Sequence, residues 1–122
     1  MVMFVDDEPD QLFCIKELLK DADGDYDFIG VDSGEKCITQ LKNGVIPDII
    51  FLDIMMPEMS GWEVYDKIRD NPIWNSIPIV FLTARTDRIA ENVSEFLGDD
   101  YMKKPIEGKQ IIECIKRNTI KE

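Results

Sequence analysis

The sequence predicts an α/β domain, a five-stranded parallel sheet with helices packed on both faces. Three observations carry that expectation. Strand-like and helix-like segments alternate five times with short links, the pattern of βαβ units with right-handed crossovers. The stretch Ile49-Ile50-Phe51-Leu52 is apolar throughout and sits between Pro47 and Pro57, as a central strand buried on both faces should be. It ends on Asp53, and three other strands also end on polar groups. A lone Asp at a strand end reads as a cap for the next turn. Recurrence at four strand ends favours a site instead, because a buried carboxylate costs several kcal/mol unless something compensates it.

The elements follow in order. Val2 to Val5 is a short apolar strand running into Asp6-Asp7-Glu8. Pro9 suits the first turn of a helix, and Leu12, Ile15, Leu18 and Leu19 give that helix one apolar face. The acidic segment from Asp21 to Asp27 resembles a calcium loop but fails its test. Tyr26 holds the sixth position, where glycine is needed, and Asp32 the twelfth, where glutamate is usual. It reads as a solvated loop. Tyr26 to Val31 is the second strand, Ser33 an N-cap, and Cys37, Ile38 and Leu41 the apolar face of a helix stopped by Asn43-Gly44. The Asp53 strand comes next, and a loop leads to Ser60-Gly61. A third helix carries Val64, Tyr65 and Ile68 and ends before Asn71-Pro72. Ile77 to Leu82 is a fourth strand finishing on Thr83-Ala84. Ile89, Val93, Phe96 and Leu97 have helical spacing, with Asn92 and Ser94 weakening the propensity. Asp99 to Met102 is a short fifth strand before Lys103-Lys104-Pro105. The last helix buries Ile111, Ile112 and Ile115 and ends on Lys116-Arg117, matched to its dipole.

At 122 residues the chain is expected to be one domain, residues 1–122, with no internal repeat or linker. Acidic residues outnumber basic ones 25 to 14, a net charge of -11. That balance argues against direct binding to nucleic acid or anionic membranes, which needs a basic footprint. No apolar run reaches the length of a membrane span, and the first residues lack the basic start of a signal peptide. Cys14, Cys37 and Cys114 are far apart, each in an amphipathic helical stretch. They read as reduced small hydrophobes of a cytoplasmic protein. The sequence has no histidine, which excludes histidine catalysis, histidine metal ligands and a phosphohistidine carrier role.

The four strand ends define a constellation: Asp6-Asp7, Asp53, Thr83 and Lys104. If the strand order is 2-1-3-4-5, the first and third strands are neighbours at the switch point. Asp6, Asp7 and Asp53 then form an acidic pocket, in which crowded like charges disfavour ionisation unless a cation joins them. Oxygen-only ligands point to magnesium, bound by one or two carboxylates with waters and a phosphate oxygen. The Thr83 hydroxyl and the Lys104 ammonium suit the other oxygens of a phosphoryl group. The remaining carboxylate would be a nucleophile forming an aspartyl-phosphate.

At these residues the chain resembles a response-regulator receiver domain of two-component signalling, over essentially its whole length. The matching motifs are Val5-Asp6-Asp7-Glu8-Pro9, Leu52-Asp53-Ile54-Met55-Met56-Pro57-Glu58-Met59-Ser60-Gly61, Leu82-Thr83-Ala84-Arg85 and Asp99-Asp100-Tyr101-Met102-Lys103-Lys104-Pro105. The resemblance implies a flavodoxin-like (βα)5 fold and a phosphoacceptor switch. Phosphotransfer from a histidine kinase or His-phosphotransfer protein to Asp53 would need Mg2+. It would change the surface of the fourth helix, fifth strand and last helix for a downstream output domain or protein. Asp7 would hold the metal directly and Asp6 through water, with Asp53 and the Met55 backbone carbonyl as further ligands. Thr83, Lys104 and the Ala84 backbone N–H would hold phosphoryl oxygens. Tyr101 would be the switch aromatic, and the Lys104-Pro105 bond is expected to be cis. Met55 and Arg85, two residues beyond Asp53 and Thr83, would tune hydrolysis: neither can act as a general base, and Arg85 is long enough to cover the opening. The domain would not be an enzyme beyond its own phosphorylation and slow dephosphorylation.

Two departures from the family pattern stand out. Leu97-Gly98 replaces the usual Gly-Ala before Asp99-Asp100-Tyr101, and the Thr83-to-Lys104 segment is about one residue short. Cys114 falls where winged-helix regulators carry a dimer-pairing arginine, which speaks against that dimer. Of the competing readings, an aspartate-dependent phosphatase wants an acid/base carboxylate soon after the nucleophile, and Ile54-Met55-Met56 offers none. The intact Asp, Thr and Lys set weighs against a phosphorylation-independent interaction module. A flavin-binding relative would want a Ser/Thr/Gly-rich phosphate loop after the first strand, and none follows.

Overall fold

The apolar run ending at Asp53 becomes the middle strand of the sheet. A computed structural model describes residues 1–21, 26–54, 56, 58–83, 100–103 and 108–119. Its five parallel strands are β1 (Val2–Val5), β2 (Phe28–Val31), β3 (Ile49–Asp53), β4 (Ile79–Thr83) and β5 (Asp100–Lys103), in the order β2-β1-β3-β4-β5. Helix α1 (Pro9–Asp21) and the C-terminal helix (Gly108–Thr119) cover one face, and α2 (Gly34–Lys42) and α3 (Gly61–Arg69) the other. The helix expected between Ile89 and Leu97 lies outside the described residues.

Alternation along the strands sorts the core into two layers. Met3, Val5, Ile50, Leu52, Ile79 and Phe81 face α2 and α3. Val2, Phe4, Ile49, Phe51, Val80 and Leu82 face α1 and the C-terminal helix. Phe4 and Phe51 stack across β1 and β3 with ring centroids 4.3 Å apart and planes 3° from parallel. Each buried side chain of this size is worth about 1.5–3 kcal/mol. A one-residue slip would carry a strand's side chains to the opposite face. Register is therefore fixed by the core, and with it the line along which the strands end.

The helices begin and end where their caps dictate. The Ser33 hydroxyl accepts the Lys36 N–H (3.1 Å) and the Ser60 hydroxyl the Glu63 N–H (3.4 Å). Gly44 follows α2 at φ 90° and donates its N–H to the Leu41 carbonyl (3.1 Å), a left-handed stop that glycine takes without strain. Arg69 closes α3 by donating to the carbonyls of Asn75 and Ile77, both 2.9 Å.

Three strand boundaries differ from the sequence expectation. β2 begins at Phe28, not Tyr26, because the parallel ladder opens at Val2 paired with Phe28 and Asp27 contributes only its carbonyl to the Val2 N–H (2.7 Å). β4 begins at Ile79, not Ile77: the Ile77 N–H closes a turn on the Trp74 carbonyl (3.0 Å), and Pro78 has no N–H to give. β5 extends to Lys103, one residue past the expected Met102, because its ladder on β4 pairs Thr83 with Lys103. The cysteines are all free, but only Cys37 and Cys114 are buried; Cys14 is exposed. It follows Phe13, also exposed, on the side of α1 away from buried Ile15 and Leu19. The amphipathic face of α1 is narrower than its apolar content suggests.

Candidate functional site

Register brings the acidic residues together. Val5 of β1 lies beside Leu52 of β3, so the next residues, Asp6 and Asp53, emerge side by side at the carboxyl edge. The Asp6 N–H extends the ladder to the Val31 carbonyl (3.1 Å) on one side. On the other, Asp53 pairs with Leu82, and the Ile54 N–H reaches the Leu82 carbonyl (3.4 Å). Thr83 is thus the next strand end along, itself paired with Lys103 of β5. Tyr101 pairs with Phe81 in the same ladder.

Asp6 is completely buried and Asp53 is 6% exposed, the buried charged residues among those described. Asp7 is half-buried. One carboxylate oxygen from each of Asp6, Asp7 and Asp53 lies within 4.8 Å of the others, and among the described residues this is the group of acidic or sulfur ligands that could hold a metal ion. The Glu8 N–H donates to Asp6 Oδ1 (3.0 Å) and fixes that side chain's orientation.

The donor set fits magnesium. Oxygens bound to one octahedral Mg2+ sit about 3 Å apart when adjacent and about 4 Å when opposite. The observed spacing closes onto one ion with small side-chain shifts, or through a water on the most buried carboxylate. The chemistry agrees, since all three donors are hard oxygens with no competing nitrogen or thiolate.

Behind Asp53 the chain makes a tight return into α3. The Ile54 carbonyl accepts both the Met56 N–H (3.2 Å) and the Gly61 N–H (2.9 Å). Glu58 takes a left-handed conformation at φ 67°, which costs a non-glycine residue on the order of 1 kcal/mol. Sequence reasoning ended a loop at Ser60-Gly61 and missed this contact with the acceptor strand. Glycine at the first position of a capped helix, where it adds nothing to helix propensity, was the available signal.

Of the residues the sequence nominated, the structure brings Asp6, Asp7 and Asp53 together, sets Thr83 at the end of β4 and places Tyr101 within β5, two residues before its end. Met55, Ala84, Arg85, Lys104 and Pro105 lie outside the described residues.

With that geometry established, comparison with known proteins is informative. The family model for the response regulator receiver domain matches residues 2–116. The response regulator SaeR of Staphylococcus epidermidis is 33% identical over 112 residues, 91% of this chain and 46% of that protein. A response regulator receiver domain protein (CheY-like) from Methanospirillum hungatei superposes with a TM-score of 0.78 at 37% identity, covering 97% of this chain and 92% of that one. A crystal structure of a response regulator from Chloroflexus aurantiacus gives a TM-score of 0.87 at 25% identity, covering 97% and 95%. The chain spans from 18% to 46% of the length of the first curated relatives it matches. No helix among the described residues is long and apolar enough to cross a membrane. A flavodoxin-like sheet with its acidic edge at the β1/β3 switch point, and a family match over nearly every residue, place this chain in the response regulator receiver domain family, the phosphoacceptor switches of two-component systems.

Proposed function

We propose that residues 1–122 form one receiver unit in which Asp53 accepts a phosphoryl group in a Mg2+-dependent reaction. The observation that carries this reading is the close approach of the Asp6, Asp7 and Asp53 carboxylates, within 4.8 Å, at adjacent strand ends. Asp7 and Asp53 would hold the metal directly, Asp6 through water, and the Met55 carbonyl would complete the protein's share. When bound, the ion neutralises the pocket and the charge that develops on the transferring group.

The residues of the chain then have distinct tasks. An Asp53 oxygen attacks phosphorus in line, and the nitrogen–phosphorus bond of a phosphohistidine donor breaks. Its electron pair returns to the imidazole, which takes up a proton. Thr83, the Ala84 N–H and Lys104 hold the phosphoryl oxygens. Thr83 moving toward the phosphate opens space for Tyr101, which biases a pre-existing equilibrium between two states. The donor is a histidine kinase or His-phosphotransfer protein, and the reader is an output domain or protein; no nucleic acid or membrane contact is part of the mechanism. The domain acts in the cytoplasm as a switch, catalysing only its own phosphorylation and slow dephosphorylation.

A small-molecule phosphodonor with Mg2+ tests this directly. One acid-stable, base-labile acyl phosphate is expected, absent in Asp53→Asn and lost when the metal is chelated. Mapping of the phosphoryl group to any other residue overturns the assignment.

A further inference from the structure

We propose that Gly61 is a positioning residue for the phosphoacceptor: the first turn of α3 is seated on the backbone of Asp53 and Ile54 because residue 61 has no side chain. This rests on the reading of Asp53 as acceptor and adds how its position is set. A Cβ at residue 61 would stand 2.5 Å from the Asp53 carbonyl oxygen, 2.8 Å from Ile54 Cα and 3.1 Å from the Asp53 carbonyl carbon. All three are backbone atoms, so no rotamer change relieves the contact. The Gly61 N–H also donates to the Ile54 carbonyl (2.9 Å), the same oxygen that accepts the Met56 N–H. Gly61 therefore holds the chain at the residue that carries the acceptor and at the tight return just behind it.

Two further observations fix the seat from the helix side. Ser60 caps α3 through the Glu63 N–H (3.4 Å). Buried Val64 and Ile68 anchor the same helix in the core beside α2. With α3 held in the core, an added methyl at residue 61 strains the end of β3 and the first turn of α3 against each other. Both the Asp53 carboxylate and its spacing from Asp6 and Asp7 would shift, by a displacement of a few tenths of an ångström or more.

The experiment compares Gly61→Ala with Gly30→Ala. Gly30, in β2, is also close-packed, its added Cβ falling 3.1 Å from Phe28 Cε1 and 3.4 Å from Leu12 Cδ2, but it meets side chains away from α3 and the acceptor's backbone. Mg2+ dissociation constants come from calorimetry, and acyl-phosphate formation rates from a small-molecule donor at saturating Mg2+. Gly61→Ala should weaken Mg2+ and slow phosphorylation by about tenfold or more, the size of effect that a sub-ångström misplacement produces. Gly30→Ala should keep both values within about twofold of wild type, since it leaves α3 and the acceptor's backbone alone. Ser60→Ala, which loosens the seat without adding an atom, should weaken Mg2+ in the same direction and decides the matter if Gly61→Ala does not fold. Wild-type affinity and rate in a folded Gly61→Ala protein, or in Ser60→Ala where that is the deciding variant, overturn the proposal, as do equal losses in Gly30→Ala. A wild-type protein that neither binds Mg2+ nor takes the phosphoryl group would instead overturn the reading of Asp53.

Discussion

Replacing Asp53 with asparagine should stabilise the metal-free protein, and the size of that gain measures how much charge the pocket holds against itself. The carboxylate oxygens of Asp6, Asp7 and Asp53 lie within 4.8 Å of one another. At that distance two unit charges repel by about 0.9 kcal/mol in a water-like dielectric and by about 3.5 kcal/mol at an effective dielectric near 20. Asp6 is completely buried and belongs toward the upper figure, while half-buried Asp7 is screened toward the lower one. Asp53 also makes other polar interactions, which an amide keeps only in part. The net expectation for Asp53→Asn in EDTA is a gain of about 1–3 kcal/mol, or roughly 4–12 °C in melting temperature for a domain of this size.

Magnesium should erase that advantage. An ion at a hundred times its dissociation constant stabilises the wild type by about 2.7 kcal/mol through mass action. The variant, lacking one anionic ligand, gains less. Urea unfolding followed by circular dichroism, in EDTA and in saturating Mg2+, checks both halves. If Asp53→Asn is no more stable than wild type in EDTA, or if its advantage is the same with and without Mg2+, the electrostatic account of the pocket is wrong.

Three other outcomes follow from named residues. Burial pushes the Cys37 thiol from its usual 9.0 up to about 12, so the native state keeps a proton that the unfolded chain releases above pH 9. Stability from this group is therefore fully present below about pH 9 and lost as pH rises toward 12. Thiol labelling should modify exposed Cys14 at once and Cys37 and Cys114 only on unfolding, and rapid labelling of all three in the native protein would contradict the core assignment. At the positions two residues beyond Asp53 and Thr83 in sequence, Met55→Asn with Arg85→Glu should supply a water-orienting pair and speed loss of the acyl phosphate by about tenfold, about 1.4 kcal/mol of barrier; equal decay rates would show that these residues do not gate the water.

The sequence by itself determined the parts of this protein that depend on local pattern. Unbroken apolar runs marked the central strands, because a strand covered on both faces has no solvent side to show. Ser33 and Asn43-Gly44 marked helix ends, because capping is decided within a few residues. Four polar strand ends marked the site, because charge at the end of an apolar strand needs a reason.

Tertiary structure decided whatever depends on two segments meeting. The starts of β2 and β4 moved to Phe28 and Ile79 because a strand exists only where its neighbour offers a ladder partner. Cys14 lies outside the core because the width of a buried face is set by what packs on it, not by the helix's own periodicity. The spacing of Asp6, Asp7 and Asp53 came from the β1/β3 register, a pairing across more than forty positions of chain that no local pattern encodes. The seat of Gly61 on Asp53 is of the same kind: sequence shows a glycine, and only packing shows that a backbone occupies the place of its missing side chain.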